Sequence, residues 1–144
     1  MRYLGLDLGS KTLGVSLSHV THTIASTYKT IHFNESDYDS ILPELKEIVS
    51  EYNVSKIILG LPKNMNNTVG ERGEICLGFQ KKLIDYLGVE VIMQDERLST
   101  VEATNYMLDA DISRKKRKKK VDSLAANIIL QTYLDKERRR NTNE

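Results

Sequence analysis

The sequence predicts an α/β fold: a mixed five-stranded sheet, three antiparallel strands followed by a parallel β-α-β-α-β half, flanked by helices. Two observations predict it. The first 32 residues hold three β-type segments separated by short turns, the pattern of an antiparallel meander. Beyond them, segments of helical and strand periodicity alternate, which calls for crossover connections between parallel strands.

The first strand is expected over Tyr3–Leu8, short and mostly apolar, closed by a turn at Gly9-Ser10-Lys11. Leu4, Leu6 and Leu8 fall on one face, and Tyr3, Gly5 and Asp7 on the other. Thr12–Ser18 alternates, with Leu13, Val15 and Leu17 on one side. Ile24–His32, rich in Thr, Tyr and Ile, suits a third strand. Ile41, Leu45, Ile48, Val49 and Tyr52 have helical spacing. Pro43 fits only a first turn, so this helix should start near Ser40.

Lys56–Gly60 is a short apolar strand leading into Gly-Leu-Pro and a polar loop, Lys63–Thr68. Ile75, Phe79, Leu83 and Leu87 mark a second helix that stops at Gly88. Val89–Met93 is the fifth strand. Ser99 and Glu102 can form a capping box for a short helix through Leu108. A last helix runs from about Val121 into the 130s. No internal repeat is visible, so residues 1–140 read as a single domain and 141–144 as a frayed tail.

Composition narrows the function. With 144 residues and 40% hydrophobic content, the chain can build a core. No apolar run nears the ~20 residues of a membrane span, and Asp7 interrupts any secretory signal. A single cysteine, Cys76, supplies neither an internal disulfide nor a zinc spacing and reads as a small buried hydrophobe. The expected setting is cytoplasmic, with no membrane partner. The net charge of +1 hides a division: residues 114–140 carry +8 and the rest −7.

Three acids stand at element ends. Asp7 interrupts an apolar strand, where a lone buried carboxylate is costly unless solvated, paired or metal-bound. It could equally cap the following turn. Asp95 and Glu96 follow the fifth strand, at the edge where α/β proteins gather their ligands, or form a hydrated acidic turn. Asp122 opens the last helix, a position that the helix dipole alone would favour. That helix is apolar nearly all round, and Ala125 and Ala126 would let it approach the sheet closely. Three carboxylates on one edge suit a hard divalent cation. His19 and His22 read better as turn or surface histidines than as a metal pair.

Four segments resemble one family. LGLDLGSKTLGVSLS (4–18), ILGLPKNMNN (58–67), DERLST (95–100) and the basic run leading into VDSLAANIILQTYL (121–134) are similar to the YqgF (RuvX) family. The resemblance spans nearly the whole chain. It implies a ribonuclease-H-like fold related to RuvC-type resolvases, and a metal-dependent hydrolase that processes the 5′ end of pre-16S rRNA in ribosome biogenesis. The alternative within the family is a Holliday junction resolvase. The family's acidic triad falls on Asp7, Glu96 and Asp122. They would hold Mg²⁺ or Mn²⁺, as two ions that clamp a phosphodiester. Three departures stand out: Thr12 where the family commonly has Arg, His19 in place of Asp, and Asn67 in place of Gly.

The expected partners are structured RNA or branched DNA. Arg114, Lys115, Lys116, Arg117, Lys118, Lys119 and Lys120 form a run that would bind the phosphate backbone. Lys11 and Arg97 are further candidates, and a solvated role suits Lys11 equally well. The chain would act as a monomer or a homodimer, because symmetric junction cleavage needs two copies. Two rivals remain. Asp7-Leu8-Gly9-Ser10 resembles a phosphate loop of actin-like ATPases, but those enzymes need two lobes. A non-catalytic RNA-binding factor would use the basic run and leave the acids idle.

Overall fold

Strand β1 (Arg2–Leu8) lies at the centre of the sheet because both of its faces are buried. The computed structural model describes residues 1–62, 70–95 and 125–138. These hold β2 (Thr12–Ser18), β3 (Ala25–His32), a 3-10 turn (Tyr38–Ile41), α1 (Leu42–Glu51), β4 (Val54–Leu61), α2 (Glu71–Leu87) and β5 (Glu90–Asp95). A last helix, α3, covers 125–138. The loop Lys63–Thr68, the helix expected over Ser99–Leu108, the basic run and the tail 141–144 lie outside the described residues.

The sheet order is β3-β2-β1-β4-β5. β1 pairs antiparallel with β2 and parallel with β4, and β4 pairs parallel with β5. This is the expected mixed sheet. On one face, Leu4, Leu6, Leu13, Val15, Ile57 and Leu59 pack with Leu45 and Ile48 of α1 and Cys76, Phe79 and Leu83 of α2. Cys76 is therefore the buried small hydrophobe the sequence suggested. On the other face, Tyr3 and Ile58 pack with Ile129, Leu130 and Leu134 of α3.

Element boundaries shift by a few residues. The helix expected from Ser40 opens with the 3-10 turn, and α1 starts at Leu42 with Pro43 in its first turn. Pro43 has no N–H to give and its ring tolerates only the helix start. β4 and β5 each run one or two residues beyond the expected ends, to Leu61 and Asp95. α2 begins at Glu71, before its first apolar residue, and ends at Gly88, whose left-handed φ of 68° suits glycine. Ile24 stays outside β3 and is exposed.

α3 seats tightly because Gly5 has no side chain. A Cβ there would collide with Ser16 Oγ and lie 2.7 Å from Leu130 Cβ and 2.9 Å from the Ala126 carbonyl. Ser16 Oγ donates to that same carbonyl at 3.0 Å. At the far end of the helix, the Tyr3 hydroxyl donates to Glu137 Oε1 at 3.1 Å. Burial and the Glu137 charge push the Tyr3 phenol up, which keeps it a donor. Lys56 lies 3.9 Å from Glu137 and sits over the Tyr3 ring.

These contacts set the direction of α3. Glu137 is beside Tyr3, while Ala126 is beside Gly5. The helix thus runs antiparallel to β1, and residue 125 faces the strand end that carries Asp7. Gly5→Ala should cost about 1–3 kcal/mol, because the added methyl displaces helix backbone rather than a flexible side chain. Urea unfolding of the variant checks this.

Candidate active site

Asp7 occupies the next-to-last position of β1, on the α3 face, and is half-buried. β1, β4 and β5 are parallel, so their carboxyl ends share one edge. The β1–β4 register, which pairs Leu6 with Leu59, continues to place Asp7 beside Gly60. Gly60 in turn pairs with Gln94, and Leu61 with Asp95. The acid-bearing end of β1 and the end of β5 therefore lie level, two strands apart, or about 10 Å.

A cleft of about 290 Å³ opens at this edge, lined by Asp7, Leu8, Gly9, Ser10, Pro62 and Arg72. A larger depression, about 650 Å³, lies between α1 and the end of α2. Its walls are Pro43, Lys46, Glu47, Ser50, Glu51 and Tyr86, and no strand end reaches it. The smaller cleft is the one with the chemistry.

The turn below Asp7 is braced from several directions. The Gly9 amide donates to the Thr12 carbonyl at 2.8 Å. Phe33 and Ser36 amides donate to the carbonyls of Lys11 and Ser10, at 2.9 and 3.0 Å. Lys11 is exposed at the tip of this turn, beside the cleft. Its position permits a phosphate contact and does not require one.

Arg72 escaped the sequence reading. It lies in the first turn of α2, where the helix dipole disfavours a cation. There it crosses the sheet edge: Nη2 donates to the Leu8 carbonyl at 2.9 Å and Nη1 to the Tyr38 hydroxyl at 3.3 Å. The misplaced charge was the available signal. The guanidinium fixes the backbone immediately after Asp7 and adds positive charge to the cleft.

Glu96, Arg97, Asp122 and Arg114–Lys120 lie outside the described residues. Among the described residues no group of three His, Cys, Asp or Glu side chains could hold a metal. His19 and His22 match the turn reading: His19 is exposed near Ser26, and His22 stacks on Tyr3 with centroids 4.1 Å apart. What the cleft does hold is the carboxylate of Asp7, a hard oxygen donor of the kind that Mg²⁺ or Mn²⁺ prefers.

Arg72→Ala should lower stability by about 1–3 kcal/mol, as expected for loss of charged hydrogen bonds. Arg72→Lys should stay closer to the alanine variant than to wild type, because an ammonium lacks the planar fork. Denaturant midpoints of the three proteins test both statements.

Comparison with known proteins places this edge in context. A protein from Bacillus pumilus (strain SAFR-032), named "Putative pre-16S rRNA nuclease", is 52% identical over 135 residues, covering 94% of this chain and 98% of its own. A protein of the same name from Bacillus mycoides (strain KBAB4) is 49% identical over the same shares. Among solved structures, T. thermophilus RuvC in complex with Holliday junction substrate superposes with a TM-score of 0.68 at 15% identity. That match covers 96% of this chain and 95% of RuvC. The fowlpox virus Holliday junction resolvase gives a TM-score of 0.56 at 14% identity, covering 94% and 99%. At these identities the likeness is one of fold, and it confirms the ribonuclease-H-like architecture. The family model described as "RuvX: Holliday junction resolvase" matches residues 1–136, and the chain belongs to the RuvX family.

Proposed function

We propose that the protein is a metal-dependent endonuclease that processes the 5′ end of pre-16S rRNA in the cytoplasm. The carrying observation is the position of Asp7: a carboxylate at the carboxyl end of the central strand, in a cleft that also holds a fixed guanidinium. The names of the roughly 50% identical relatives support rRNA as the substrate. The description of the family supports a second reading, cleavage of four-way DNA junctions, which would call for a homodimer.

In this reading Asp7, Glu96 and Asp122 hold Mg²⁺ or Mn²⁺, most simply as two ions. Glu96 follows directly on the end of β5, and Asp122 precedes a helix that opens toward the Asp7 end of the sheet. When bound, the ions activate the attacking water and stabilise the leaving oxygen. The products are a 5′-phosphate and a 3′-hydroxyl. Arg72 keeps the strand end that bears Asp7 in place. Lys11, Arg97 and the run from Arg114 to Lys120 grip the phosphate backbone, with shape rather than base sequence as the recognised feature.

Asp7→Asn should reduce Mg²⁺-dependent cleavage more than about a hundredfold. The variant should stay folded, which its circular dichroism spectrum checks. Assays on a precursor rRNA fragment and on a four-way DNA junction, with and without EDTA, test the site and rank the substrates. Full cleavage by Asp7→Asn would remove Asp7 from the catalytic centre, and RNA binding without cleavage by the wild type would leave only a non-catalytic RNA-binding role.

Binding to uncleaved RNA should weaken steeply with salt. If all seven residues of the run meet phosphates, the slope of log affinity against log salt approaches about −5 on single-stranded stretches. A flat response in a filter-binding titration would remove the run from the interface.

A further inference from the structure

Arg72 is half-buried and carries a charge that its neighbours do not balance. Its hydrogen-bond partners, the Leu8 carbonyl and the Tyr38 hydroxyl, are both neutral. Among the described residues it forms no ion pair. Glu71 and Glu74, the acids nearest in sequence, are exposed to solvent. Two neutral acceptors call for donors, not for a charge. A half-buried charge is costly unless an opposite one answers it.

The guanidinium also has donors to spare. Of its five N–H groups, the bonds to Leu8 and Tyr38 take two and leave three. Arg72 borders space that a ligand can enter, because it lines the cleft of about 290 Å³ together with Asp7, Gly9 and Ser10. The two charged residues reach that cleft from opposite sides of the sheet. α2 packs on the face of Leu4 and Leu6, whereas Asp7 lies on the α3 face. A planar fork of N–H donors fits the paired oxygens of a phosphate, and the bonds it makes there are charge-assisted.

We infer that Arg72 is a substrate-binding residue: the N–H groups not used by Leu8 and Tyr38 donate to a phosphate of the nucleic-acid backbone lying in the Asp7 cleft. This role rests on the reading of the edge as a nuclease site. It adds a phosphate contact from α2 to those of Lys11, Arg97 and the basic run, and it goes beyond bracing the strand end.

Binding of an uncleaved precursor rRNA fragment in EDTA tests the contact, with thermal midpoints measured beside it. Arg72→Gln should weaken binding about tenfold, the lower end of what hydrogen bonds to a charged group contribute. Its slope of log affinity against log salt should be shallower than that of the wild type by about 0.7, the share of one phosphate on a single strand. Arg72→Lys keeps the charge and loses the fork, so its slope should match the wild type while its affinity falls between the two.

A brace alone moves the midpoint and leaves the salt slope where it was. A wild-type slope in Arg72→Gln would therefore overturn the inference, whatever its stability. The unmutated protein gives a second reading: saturating RNA should shield Arg72 from phenylglyoxal, followed by mass spectrometry. Equal labelling with and without RNA would overturn it too. Mg²⁺-dependent cleavage by the wild type judges the nuclease reading separately. If the wild type cleaves and Arg72→Gln keeps the wild-type slope, only the assignment of Arg72 fails. If the slope shifts and the wild type cleaves neither RNA nor junction, the nuclease reading fails and Arg72 remains a phosphate contact.

Discussion

The close approach of α3 to the sheet at Gly5 is the constraint on which the site depends. Backbone meets backbone there: the Ala126 carbonyl lies where a β-carbon would be, and Ser16 Oγ satisfies it. Any larger residue at position 5 would lift the helix. Lifting it would open the face on which Asp7, Gly60 and Gln94 stand in a row. The apolar contacts of Ile129, Leu130 and Leu134 then act on a helix already placed by this one fit. Gln131 adds orientation, accepting from the Ala25 amide at 2.9 Å and donating to the Thr23 carbonyl at 3.0 Å.

Most of the sheet was legible because its physics is local. Alternation in β2 and the lone acid in β1 follow from strands with two differently packed faces. The start of α1 follows from Pro43, and the end of α2 from Gly88. The start of α2 was hidden because Glu71-Arg72-Gly73-Glu74 has no apolar period, and its cap is Gly70, which carries no side-chain oxygen. The closeness of α3 was readable from Ala126, yet its partner Gly5 was noticed only as a member of a face.

The site was legible in part. Asp7 stood out because an acid in an apolar strand needs an explanation. Arg72 was missed because its purpose is tertiary: its partners are 64 and 34 residues away. Gln94 fell to the turn in the sequence because the expected strand ended at Met93. In the fold it belongs to β5 and is buried. Glu96 and Asp122 rest on element ends and on the family pattern.

The contacts that seat α3 also fix when the molecule can be finished. Ser16 and Ala126 are 110 residues apart, Ala25 and Gln131 106, and Tyr3 and Glu137 134. β1 and β2 can pair as soon as both have left the ribosome, but their second face stays bare until α3 emerges. At about 5–20 residues per second, that interval lasts on the order of ten seconds. Through that interval the nascent chain exposes Tyr3 and Ile58 to solvent. Under the proposed function, it also lacks a complete cutting edge while the RNA of its own ribosome is the nearest nucleic acid. Under that function, chain order would set when the edge is complete.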